Sequence, residues 1–128
     1  MSEKKPGPQT AVLASPPTIL CAGNVVGRME GEGPLAACFD YVDQDDTFGE
    51  ATWEQSERAM QQKALALALQ KGGLTAQQLD YLFAGDLLNQ CVSSTYGLRE
   101  LGIPFLGLYG ACSTMAESLS LAALLLDG

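Results

Sequence analysis

The chain has 128 residues, 47% of them hydrophobic, which suits one packed domain and argues against disorder. Fifteen acidic residues against seven basic ones give a net charge of −8, which repels polyphosphate and excludes nucleic acid as an expected partner. Histidine is absent, so a Ser/His/Asp triad, a Cys/His dyad and histidine-ligated metal sites are excluded within this chain.

Residues 1–10 carry two prolines, one glycine and two lysines with little to bury, and residues 1–17 are expected to form a flexible N-terminal arm. The lysines are followed by prolines and polar residues rather than the apolar core of an export signal. The four cysteines, Cys21, Cys38, Cys91 and Cys112, are therefore expected as reduced thiols. None of their separations resembles the CxxC of a zinc clamp or redox motif, and no metal site is expected. Over residues 18–26, TILCAGNVV reads as a short strand, followed by a long irregular acidic loop. Asp40, Asp43, Asp45 and Asp46 in that loop lack the DxDxDG spacing and closing glutamate of a calcium loop, so they read as solvated charge.

Residues 53–72 predict the clearest helix, with Thr52 as N-cap, Gln55 completing a capping box and Gly72 or Gly73 as the stop. Trp53, Met60, Ala64, Leu67 and Ala68 share a stripe expected to face the core, which leaves Glu57, Gln61 and Lys71 toward water. Glu54 and Arg58 are placed for an (i, i+4) ion pair. Thr75 and Gln78 repeat the capping signature ahead of a buried strand in DYLFAGD that ends at Gly85. A helix over 92–101 stopped by Gly102, a strand in PFLGLYG and a helix over about 113–126 complete the pattern. This alternation predicts an α/β fold, a mostly parallel sheet packed with helices. The apolar run over 119–126 is about half as long as the ~20 residues a membrane helix needs.

Cys112 stands out because a strand, a tight GAC turn and a helix place its thiol at or just before a helix N-terminus. Unpaired amides and the positive end of the helix dipole favour thiolate there. The amides of Cys112, Ser113 and Thr114 are equally suited to a carboxylate, and a cysteine after a strand is also often a small buried hydrophobe. Ser113 or Thr114 is also suited to cap the helix. The turn GDLLNQ (85–90) puts Asp86 and Asn89 after another strand, where α/β sheets bind ligands beyond the carboxyl ends of their strands. If the two strands are parallel, both turns open on one edge. Asp and Asn in such places are also common turn formers.

GACSTMAESLSLAALL (110–125) resembles the nucleophile turn and following helix of thiolase-like condensing enzymes. GPLAACFD (33–40), the W.QSER helix start (53–58), LDYLFAGDLLNQ (79–90), IPFLGLYGACST (103–114) and MAES (115–118) together resemble the stage V sporulation protein AD family. That resemblance runs from about Thr18 onward. It implies a thiolase fold of two similar halves with a pocket between them. It also implies binding of dipicolinic acid, free or as its calcium chelate, and association with the membrane machinery that moves it into the spore. By the same resemblance Cys112 occupies the nucleophile-equivalent position, and Asp86, Asn89 and Cys112 are ligand-pocket residues. Implied partners are the other proteins of the stage V sporulation A membrane complex, through which the protein would sit peripheral to the inner spore membrane of the forespore or spore, and a second copy of the chain. Family members are far longer, so residues 18–128 are expected to be an incomplete N-terminal thiolase-like domain. Without the later partner residues of a condensing site, no enzyme activity is expected. The alternative expectation is an acyl-transferring condensing enzyme with Cys112 as nucleophile.

Overall fold

The computed structural model describes residues 6–128. Strands β1 (Val25–Val26), β2 (Tyr41–Val42), β3 (Leu82–Ala84) and β4 (Phe105–Gly107) alternate with helices α1 (Arg28–Gly31), α2 (Trp53–Gly72), α3 (Val92–Leu98) and α4 (Thr114–Asp127). The α/β class is as the sequence predicts. The sheet differs: among the described residues the strands form two separate parallel pairs, β1 with β2 and β3 with β4. β2 comes from the loop read as irregular. Its register is held by a reciprocal bridge just before both strands: Asn24 N donates to Asp40 Oδ2 at 3.0 Å, and Asp40 N to Asn24 Oδ1 at 2.6 Å. Of the expected arm, residues 1–5 lie outside the described residues. Farther along it, Ser15 N donates to Asp127 Oδ1 at 2.8 Å.

Helix boundaries follow local chemistry. Thr52 is extended and its Oγ1 accepts from Gln55 N at 3.3 Å, while Gly73 closes α2 in the left-handed region at φ 62°. Only half of the expected capping box forms, because Gln55 Oε1 finds no partner. At Thr75 the box is complete, with Gln78 Oε1 accepting from Thr75 N at 2.8 Å. α3 tightens into a 3-10 turn over Arg99–Leu101 and stops at Gly102 at φ 67°.

The stripe on α2 is only partly as predicted, because the helix is covered on two sides. Ala64, Leu67 and Ala68 face the extended segment before β1, and a Cβ on Gly23 would lie 2.4 Å from Ala64 O. The other covered side meets α3 through small and polar residues. Ser56, Ser93, Ser94 and Gly97 are buried there, and a Cβ at Gly97 would lie 2.7 Å from Arg58 Cγ. Gln61, expected toward water, reaches across this contact to Ser94, and Trp53, expected inside, is 61% exposed. Glu54 does not pair with Arg58 among the described residues; its carboxylate takes Asn89 instead. Leu98 is the buried large hydrophobe among the described residues.

Lys71, at the last turn of α2, reaches Asp40 with Nζ 2.9 and 3.0 Å from the two carboxylate oxygens. This bond, with the Asn24 amide, holds the Asp40 carboxyl below its ordinary value of 3.8. A lowered folded value means that the stabilisation is present above pH 3.8 and is lost as pH falls through the folded value. Acid titration of thermal stability in wild type and Lys71→Met is expected to show a gap at neutral pH that closes below that range. A gap independent of pH would show that the pair contributes nothing.

Candidate functional site at the carboxyl edge of the second strand pair

Parallel pairing of β3 with β4, Leu82 opposite Phe105 through Ala84 opposite Gly107, brings the GDLLNQ and GACST turns to one edge, as the sequence predicts for parallel strands. The approach is close. A Cβ at Gly85 would stand 2.0 Å from Leu108 O and 2.7 Å from Thr114 Cγ2, so only glycine fits between β4 and the start of α4.

A cleft of about 540 Å³ opens beside this edge between α2 and α4, lined in part by Gln61, Gly85, Leu98, Cys112, Thr114 and Ser118. Among the described residues no charged side chain lines it. A groove of about 690 Å³ lies at the opposite, amino ends of β3 and β4, against Leu20, Tyr81, Pro104 and Leu126. The carboxyl-edge cleft is the better candidate, because the two turns converge beside it and Cys112 lines it.

Cys112 sits in a 3-10 turn, Ala111–Ser113, that leads directly into α4, and its thiol is exposed. Ala111 holds φ at 50°, a left-handed conformation that costs a non-glycine residue about 1–2 kcal/mol. The turn is closed by Ser113 N donating to Gly110 O at 3.0 Å, and by the Ser113 hydroxyl, whose single proton is shared between Gly110 O at 2.8 Å and Glu117 Oε1 at 2.6 Å. Gly110 N donates to Thr114 Oγ1 at 3.1 Å. The Ser113 amide is thus engaged within the turn, and Glu117 places an acid beside the amides considered for a carboxylate.

Asp86 is 4% exposed and does not line the cleft. Its Oδ1 accepts from Cys91 N at 3.0 Å, and its Oδ2 accepts from Ser94 N at 2.8 Å and Ser94 Oγ at 2.7 Å. The carboxylate therefore ties the loop after β3 to the first turn of α3. Asn89 is outside the lining as well, with Nδ2 donating to Glu54 Oε1 at 2.7 Å. Of the three residues expected in the ligand pocket, Asp86, Asn89 and Cys112, only Cys112 lines the cleft.

Gln61 is the polar lining residue that sequence reasoning sent to solvent. Its Nε2 donates to Gly85 O at 3.3 Å and Ser94 Oγ at 3.1 Å, which links the cleft wall to Asp86 through Ser94. The Ser93–Ser94 pair just after GDLLNQC was a legible signal, since adjacent small residues at a helix start permit close approach by another helix.

The family model described as Stage V sporulation protein AD matches residues 7–128. A curated relative, the stage V sporulation protein AD of Bacillus subtilis (strain 168), is 42% identical over 125 residues, covering 98% of this chain. The chain spans 37% of that relative's length.

Proposed function

The chain belongs to the stage V sporulation protein AD family, and on that premise we propose that it is part of the dipicolinic acid binding component of the spore's dipicolinate uptake machinery. The observation that supports this reading is the cleft at the shared edge of β3 and β4. Its volume of about 540 Å³ is in the usual range for small-molecule sites, and its apolar walls suit a planar ring. Cys112, Thr114 and Ser118 supply polar groups at its lining for the carboxyl groups of that ring. Asp86 and Asn89 serve the pocket from behind, by holding the loop that follows β3.

In this reading the protein is a binder rather than an enzyme, and takes dipicolinate free or as its calcium chelate. It works with the other proteins of the stage V sporulation A membrane complex, peripheral to the inner spore membrane, and pairs with a second copy. Among the described residues no helix is long and apolar enough to cross a membrane. A second reading, acyl transfer through Cys112, is favoured by the exposed thiol on a strained turn.

Calorimetric titration of dipicolinate, with and without calcium, separates the two when run on this chain, on a form of the relative's full length, and on the Cys112→Ala variant of that form. The expected result is saturable binding by the long form, weakened roughly tenfold, or about 1.4 kcal/mol, by Cys112→Ala. No binding by the long form would overturn the dipicolinate reading. Rapid, saturable acylation of Cys112 by an acyl thioester would put the second reading first.

A further inference from the structure

Left-handed backbone at non-glycine positions is concentrated at one place in this protein. Among the described residues it occurs at Phe48, Asn89, Gln90, Cys91 and Ala111, and all but Phe48 lie at the carboxyl edge of β3 and β4. Asn89, Gln90 and Cys91 are consecutive, with φ of 49°, 52° and 73°. Such a run persists only where its surroundings over-determine it.

Three carboxylates supply most of that restraint. Leu87 N donates to Glu57 Oε1 at 3.2 Å, Asn89 Nδ2 to Glu54 Oε1 at 2.7 Å, and Cys91 N to Asp86 Oδ1 at 3.0 Å. Glu54 and Glu57 project from the first turns of α2, so a long capped helix holds the loop from outside, and buried Asp86 holds it from within. The loop's far end is joined to the other strained turn, because Cys91 Sγ donates to Leu108 O at 3.1 Å on the stretch running from β4 to Ala111 and Cys112.

We propose that residues 87–91 form a strained latch that sets the position of the Cys112 turn: engaged on Glu54, Glu57 and Asp86 it holds the cleft rim as observed, and released it lets that rim move. The coupling runs through the Cys91–Leu108 hydrogen bond and does not depend on which ligand the cleft takes. A latch of this kind has two arrangements, which the anchors and the backbone strain bias in opposite directions.

Removing the anchors and relieving the strain should therefore act with opposite sign on one reporter, the alkylation rate of the Cys112 thiol by iodoacetamide, resolved by peptide mass spectrometry. Glu54→Ala combined with Glu57→Ala is expected to change that rate by about fivefold or more and to speed amide exchange over residues 87–95. Gln90→Gly, which accepts the left-handed conformation without strain, is expected to slow exchange there and shift the Cys112 rate the other way. Faster loop exchange with an unchanged Cys112 rate would overturn the proposal, as would rate shifts of the same sign in both variants. If the double variant fails to fold, Gln90→Gly alone decides it: slower exchange with no change at Cys112 is the refuting result.

Discussion

Replacing Asp86 by alanine is expected to cost at least about 3 kcal/mol of stability, through the loss of donors' partners rather than the loss of charge. The carboxylate accepts from Cys91 N, Ser94 N and Ser94 Oγ, at a position 4% exposed. Ser94 is fully buried, so neither of its donors gains water in exchange. Each buried donor left unsatisfied costs about 1–3 kcal/mol. Asp86→Asn should recover only part of the loss, because its amide replaces one acceptor oxygen with a donor that faces donors. Chemical denaturation of the three proteins, with an unchanged slope and a lower midpoint for the variants, is the expected result. A midpoint for Asp86→Ala equal to wild type would mean that the loop and α3 are held by something else.

Gly85→Ala is expected to be nearly as damaging for a steric reason. Its Cβ would meet Leu108 O at 2.0 Å, a backbone atom that moves only if β4 moves, and Thr114 Cγ2 at 2.7 Å. Separating β3 from β4 would open the edge that carries both turns and break the Leu108 N to Ala84 O bond of 2.9 Å. Overpacking of this kind costs about 1–3 kcal/mol or more. The added side chain should also alter the reactivity of Cys112, since Thr114 begins the helix that follows that residue. Thr114→Ser removes the nearer methyl but leaves the clash with Leu108 O, so it should rescue little of the loss. Full rescue would place the conflict at Thr114 and refute the strand-separation account.

The elements legible in the sequence were those specified by near neighbours. Thr52, Gly73 and Gly102 set helix ends through their own backbone and side chains, and the structure places those ends within a residue or so of expectation. Strand pairing is a long-range property: the parallel order of β3 and β4 was legible, whereas the separate pairing of β1 with β2 was not. Nothing local to Tyr41 shows that Val42 will lie against Val26, and the Asn24–Asp40 bridge that aligns them spans sixteen residues. The facing of α2 failed for a related reason. A periodicity argument assumes one covered side, whereas this helix is covered by the segment before β1 and by α3, which draws Gln61 inward and leaves Trp53 outside. In the candidate site, the convergence of the two turns followed from parallel order alone. The hydrogen bonds of Asp86 did not, because they depend on Ser94 lying on the first turn of a helix that folds back over the strand end.

The placement of Trp53 also decides how this protein reports on itself. It is the sole tryptophan, and at 61% exposure its indole already sits in water in the folded chain. Its fluorescence maximum will therefore move little on unfolding, and a denaturation curve read from that signal would understate the transition. A blue shift of the same emission would instead signal a new surface closing over the start of α2, which makes this residue a built-in optical probe of association.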